Sequence, residues 1–115
     1  MNIEHLREYC LSKKGVTEEF PFDDNTLVFK VQGKMFALTS LAKPMSVNVK
    51  CNPEKAIELR HEFEAIEPGY HMSKLHWNTI FFNLDVNDKL LFTFVDDSYN
   101  LVVSKLPKNV RNELL

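Results

Sequence analysis

Thr26-Leu27-Val28-Phe29-Lys30-Val31-Gln32-Gly33-Lys34-Met35-Phe36-Ala37-Leu38-Thr39-Ser40 is the stretch that decides the fold. Two runs rich in β-branched and aromatic residues flank a Gln-Gly dipeptide, the pattern of two strands joined by a two-residue hairpin turn. With that turn Val31 faces Lys34 and Phe29 faces Phe36. Leu27, Phe29, Val31, Phe36 and Leu38 then share one face, the expected core face. Thr26, Val28, Lys30, Met35, Ala37 and Thr39 share the other. A bulged turn would shift the register by one residue and mix the two sets, so the simple turn is expected.

Working outward, Ser46-Val47-Asn48-Val49-Lys50-Cys51 alternates cleanly and reads as a third strand, with Val47, Val49 and Cys51 inward and Ser46, Asn48 and Lys50 outward. Asn52-Pro53-Glu54 is a helix start, with a cap, a proline in the first turn and an acid behind it. Ala56, Ile57, Leu59, Arg60 and Phe63 form the stripe of that helix, expected to end before Pro68-Gly69. On the N-terminal side, Asn2 caps a helix carrying Ile3, Leu6, Tyr9, Cys10 and Lys13 on one face, and Gly15 stops it. Glu18 to Asn25 reads as a connection containing Phe20-Pro21-Phe22. A further strand begins around Leu75 or His76. Asp85 or Asn87 caps a long last helix on which Leu91, Phe94, Val95, Ser98, Leu101, Val102 and Lys105 recur at helical spacing, and Pro107 ends it. Hairpins dominate and no strand–helix–strand unit repeats. The class is therefore α+β, one compact domain over 1–115, with a mostly antiparallel sheet and helices packed on one face.

The chain has 115 residues, 44% hydrophobic and 26% charged, which is enough for one core and ordinary for a globular domain. No apolar run approaches the length of about 20 residues that a membrane span needs. The charged, amphipathic first residues are unlike a signal peptide. Cys10 and Cys51 are too few for a disulfide framework and lack metal spacing, so two buried thiols and a cytoplasmic location are expected. The net charge of −2 argues against a strong nucleic-acid binder, but the charge is unevenly placed. Residues 25–51 carry four lysines and no acid, and residues 68–84 carry one lysine and no acid. With the acids on helices, the uncovered sheet face is expected to be mildly positive through Lys30, Asn48, Lys50 and Lys74.

Catalytic and metal signatures are not found. Glycines at 15, 33 and 69 cannot form a phosphate loop. His71 and His76, five apart, share neither a strand face nor adjacent helical turns. Glu18-Glu19, Asp23-Asp24 and Asp96-Asp97 read as solvated acids. No catalytic residue, metal or cofactor is expected.

Glu19-Phe20-Pro21-Phe22, the Thr26–Ala37 hairpin, Asn48-Val49-Lys50-Cys51-Asn52-Pro53-Glu54, and above all Gly69-Tyr70-His71-Met72-Ser73-Lys74-Leu75-His76-Trp77-Asn78-Thr79 resemble the MmcQ/YjbR-like family. The likeness continues through Asp97-Ser98-Tyr99 to Lys105-Leu106-Pro107-Lys108 and spans nearly the whole chain. The resemblance implies a bacterial protein with a compact α+β domain whose "double wing" of sheet and loops contacts DNA. It supplies no catalytic set. The acidic turn at 83–88 departs from a DNA-binding character.

Three functional expectations follow. The first is weak, non-enzymatic binding of double-stranded DNA by a monomer. Lys30, Lys34, Lys50 and Lys74 would meet phosphates, and Asn48, His76 and Asn78 would add hydrogen bonds. Four to five phosphate contacts give a log–log salt slope of roughly −3.5 to −4.5. The second is protein–protein interaction through the same face or through Phe20-Pro21-Phe22. The third is a small-ligand or enzyme pocket lined by Tyr70, His71, His76 and Trp77.

Overall fold

The computed structural model describes residues 1–42, 44–69 and 72–114. Four helices and six strands follow one another: α1 (Ile3–Leu11), β1 (Val16–Glu19), β2 (Thr26–Val31), β3 (Lys34–Ser40), β4 (Ser46–Lys50), α2 (Pro53–Glu62), β5 (Ile66–Pro68), β6 (Trp77–Phe81), α3 (Asp88–Ser104) and α4 (Lys108–Asn112). The strands form one antiparallel sheet in the order β1-β2-β3-β4-β6-β5. This is the α+β arrangement expected from the hairpins.

The helix starts follow their caps. Asn2, Asn52 and Asn87 each accept a backbone N–H from the first turn of α1, α2 and α3. Those three helices lie on one side of the sheet. There Leu6, Cys10, Leu59, Leu91, Phe94, Val95 and Val102 meet Leu27, Phe29, Val31, Phe36, Val47, Val49 and Ile80 in the main core. A buried side chain of this size contributes roughly 1.5–3 kcal/mol, so the helices are held by this face. Ile57, placed in the α2 stripe by spacing, is instead half exposed.

The hairpin corrects one expectation. Gln32 and Gly33 do form the two-residue turn, both with positive φ, at 50° and 77°. Val31 faces Lys34, as expected. Beyond Lys30–Met35, however, the register slips. Phe29 pairs with Ala37, Val28 with Leu38 and Leu27 with Thr39, leaving Phe36 as the extra residue of a β-bulge. Phe36 and Ala37 therefore both enter the main core, while Leu38 turns to the opposite face with Val28. On that outer face Val28, Leu38 and Trp77 form a second, smaller cluster, with Met35 and Met72 packed on it.

Two strands lie where none was expected. β1 occupies part of the stretch read as a connection, and β5 part of the stretch given to the end of α2. Both are short edge strands, held by the ladders of β2 and β6.

Candidate functional site

The strand register sorts the charged residues by end as well as by face. Val16, Val31, Lys34, Lys50, Pro68 and Trp77 lie toward one end of the sheet, and Glu19, Thr26, Ser40, Ser46 and Phe81 toward the other. The β2–β3 turn and residues 72–76, which lead into β6, lie at the first end. Lys34 and Lys74 are exposed there, and Lys50 is half-buried opposite Trp77. Lys14 joins them, because its carbonyl accepts from Tyr99 Oη at 2.5 Å just before β1 begins. At the other end lie Glu19, Asp23, Asp24, Asp85 and Asp88. The N-terminal ammonium sits 3.0 Å from Asp88 at that end.

This placement changes the expected site. Lys30 does reach the outer face, but Glu19 of β1 forms an ion pair with it. Glu67 of β5 stands opposite Thr79 and adds a second acid to that face. The outer face thus carries two acids beside Lys30, while Lys34, Lys50 and Lys74 stand at the end where β2 turns into β3 and β6 begins. Asn48 lies on the outer face, where its Oδ1 accepts from Thr79 Oγ1 at 2.6 Å. Asn78 does not: it faces the helices and is 1% exposed. His76 is half-buried and its carbonyl accepts from Cys51 N–H at 2.7 Å, which closes the loop onto the end of β4.

Asn78 belongs to a hydrogen-bonded bracket that ties α2 to residues 74–78. Arg60 Nε of α2 donates to Asn78 Oδ1 at 2.6 Å, while Nη2 donates to the Lys74 carbonyl and to that of Trp77. Asn78 Nδ2 donates in turn to the Ala56 carbonyl at 3.3 Å. Gly69 lies where space is tight, since a Cβ there would lie 2.9 Å from Trp77 Cβ.

The pocket expected around Tyr70, His71, His76 and Trp77 falls partly outside the described residues. Tyr70 and His71 lie outside the described residues, and Trp77 packs into the outer-face cluster. A cleft of about 160 Å³ opens instead on the helix side, between α2, α3 and strands β4 and β6. Leu59, Ile80, Phe94 and Leu101 line it, with Cys51, Lys55 and Asp97 among its polar groups. Burial raises the thiol pKa of both cysteines, that of Cys10 to about 12. Cys10 is fully buried as expected, but Cys51 only half. Among the described residues, no three His, Cys, Asp or Glu side chains are grouped to hold a metal. No helix among them is long and apolar enough to cross a membrane.

Arg60 and Ser98 are the polar groups whose roles spacing alone did not reveal. Each interrupts an otherwise apolar helical stripe, and that interruption was the available signal.

The fold defines a small α+β domain, a six-stranded antiparallel sheet backed by helices. A family model described as YjbR matches residues 11–101, and the chain belongs to the YjbR family. The uncharacterized protein YjbR of Escherichia coli K12 is 30% identical over 116 residues, covering 100% of this chain and 98% of its own. The uncharacterized protein YbdF of Escherichia coli O157:H7 is 37% identical over 90 residues, 77% of this chain and 74% of its own. Among solved structures, Deinococcus radiodurans protein DR2400 superposes with a TM-score of 0.92 at 39% identity, covering 98% of this chain and 87% of that one. A Pseudomonas syringae protein gives 0.77 at 25%, covering 88% and 98%.

Proposed function

We propose that this is a non-enzymatic domain that binds double-stranded DNA weakly through one end of its sheet. The observation that carries the reading is the common placement of Lys34, Lys50 and Lys74 at one end of the sheet, where the family resemblance would put its double wing. Lysines so placed neutralise phosphates without reading sequence. His76, beside Lys74, supplies a polar group at the same end. Asn48 and Thr79 lie further along the outer face. Lys30 contributes little, because Glu19 already neutralises it. The test is charge reversal at two places. Lys34→Glu with Lys74→Glu abolishes DNA binding at low salt, whereas Lys30→Gln leaves it nearly unchanged. Equal loss from both would return the interface to the whole sheet face, and no loss from either would end the reading.

A second reading, protein contact, is favoured by Phe20 and Phe22, which are 48% and 64% exposed, beside the acids Asp23 and Asp24. Aromatics beside paired acids suit a basic, apolar peptide. Capture of such a peptide that survives nuclease and is lost in Phe22→Ser supports it, and unchanged capture by that variant rejects it.

A further inference from the structure

We infer that the helix-side cleft, whose rim includes Lys50, is a binding site for an apolar α-amino acid with an aromatic side chain, a reading that does not rest on nucleic-acid binding. Three observations converge on that ligand. The first is size: the cleft measures about 160 Å³. An apolar cavity of roughly 150 Å³ takes one benzene ring. The second is lining: Leu59, Ile80, Phe94 and Leu101 offer an apolar bed matched to a phenyl group. The third is charge. Lys55 Nζ and Asp97 Oδ2, both lining residues, are 3.8 Å apart and each is about half exposed. That separation is at the outer limit of an ion pair, so both groups retain hydrogen-bonding capacity. A zwitterion fits between them, its carboxylate toward Lys55 and its ammonium toward Asp97, while the ring enters the cleft. Small-ligand sites are commonly built this way, as an apolar body with a few placed polar groups.

Cys51 provides a built-in reporter. It lines the cleft and is half-buried, whereas Cys10 is fully buried in the core. Occupation of the cleft should therefore slow alkylation of one thiol only.

The experiment is an amide NMR titration of the intact chain with L-phenylalanine, 3-phenylpropionate and phenethylamine. It is paired with the rate of Cys51 alkylation by iodoacetamide. The expected result is saturable shifts at Asn78, Cys51 and Leu101, with a dissociation constant on the order of 1 mM for so small a ligand. Each analogue lacking one charge should bind about threefold more weakly, as an exposed ion-pair contact implies. Lys55→Gln and Asp97→Asn, both at exposed positions that leave the core intact, should each reproduce the loss of the matching charge. Alkylation of Cys51 should slow with L-phenylalanine. Absence of saturable shifts at about 10 mM, ten times the expected constant, would overturn the proposal. So would equal affinity for all three compounds, or shifts confined to the β2–β3 turn at residues 32–34, away from the cleft lining.

Discussion

The Ser98 hydroxyl donates to the carbonyl of Phe36 at 2.5 Å and accepts from the backbone N–H of Lys50 at 2.8 Å. Phe36 is the bulged residue of β3, and the β3–β4 ladder stops at Ala37–Val49. The bulge thus opens the ladder where Phe36 and Lys50 would have met. A hydroxyl from α3, itself fully buried, fills the gap. This side chain adds hydrogen bonds from α3 to both β3 and β4, beside the apolar packing between them.

Ser98→Ala leaves a buried carbonyl and a part-buried N–H without a partner. An unsatisfied group of this kind costs about 1–3 kcal/mol, so the variant should lose roughly 3 kcal/mol. Urea denaturation measures it. A loss below about 0.5 kcal/mol would mean that water replaces the hydroxyl and the bulge does not depend on it.

Arg60→Ala should cost about 2 kcal/mol, because the Oδ1 of buried Asn78 loses its donor. It should also speed amide exchange across residues 72–77, whose carbonyls at Lys74 and Trp77 the guanidinium holds. Arg60→Lys should recover only part of the protection, since an ammonium lacks the planar fork. Unchanged exchange there would show that Arg60 is structural for α2 alone.

The hairpin turn isolates a backbone effect. A Cβ at Gly33 would meet nothing within 4 Å, yet its φ is +77°. Gly33→Ala should therefore lose about 1 kcal/mol from backbone conformation alone. Gln32, also at positive φ, is a poor choice for the position, and Gln32→Asn should gain about 0.5 kcal/mol. Thermal unfolding of both variants checks the pair; opposite signs are required.

Acid should loosen the α2–β5 connection. Asp85 accepts the backbone N–H groups of Ala65 and Glu64 at 2.8 and 2.7 Å, and these bonds hold its carboxyl below the usual 3.8. A depressed folded pKa favours the charged form. Its contribution to stability is complete above the ordinary carboxylate value and is lost as pH falls through the lower folded value. Asp85→Asn should flatten the fall of Tm with pH over the range of about 5 to 2. A parallel profile would place the acid sensitivity elsewhere, with the Glu18 carboxyl beside Arg7 and the Asp23 carboxyl that caps the turn before β2 next in line.

What was legible in the sequence was what punctuation and period mark locally. Asn2 and Asn52-Pro53 announce their helices, Asn87 is one of two caps, with Asp85, that the sequence offers for the last helix, and Gln32-Gly33 announces its turn. Val16-Thr17-Glu18-Glu19 and Ile66-Glu67-Pro68 carry no such signal. They are strands because β2 and β6 offer open ladders beside them, which is a tertiary cause. The bulge at Phe36 is likewise bridged by Ser98, far away in the chain. The same gap affects the site. Acid-free blocks along the sequence suggested a positive face, but pairing brought Glu19 onto Lys30 and Glu67 opposite Thr79 on that face. Asn78 points to the helices for a related reason: its place in the β6 alternation follows from pairing with Val49.

The most direct test of the account is fluorescence anisotropy of labelled double-stranded DNA against this protein, from about 20 to 200 mM salt, the range in which phosphate contacts are read. With Lys34, Lys50 and Lys74 as the contacts, the account predicts saturable binding whose logarithm falls with log salt at a slope of roughly −3. No binding at the lowest salt, or binding with a slope near zero, would contradict it.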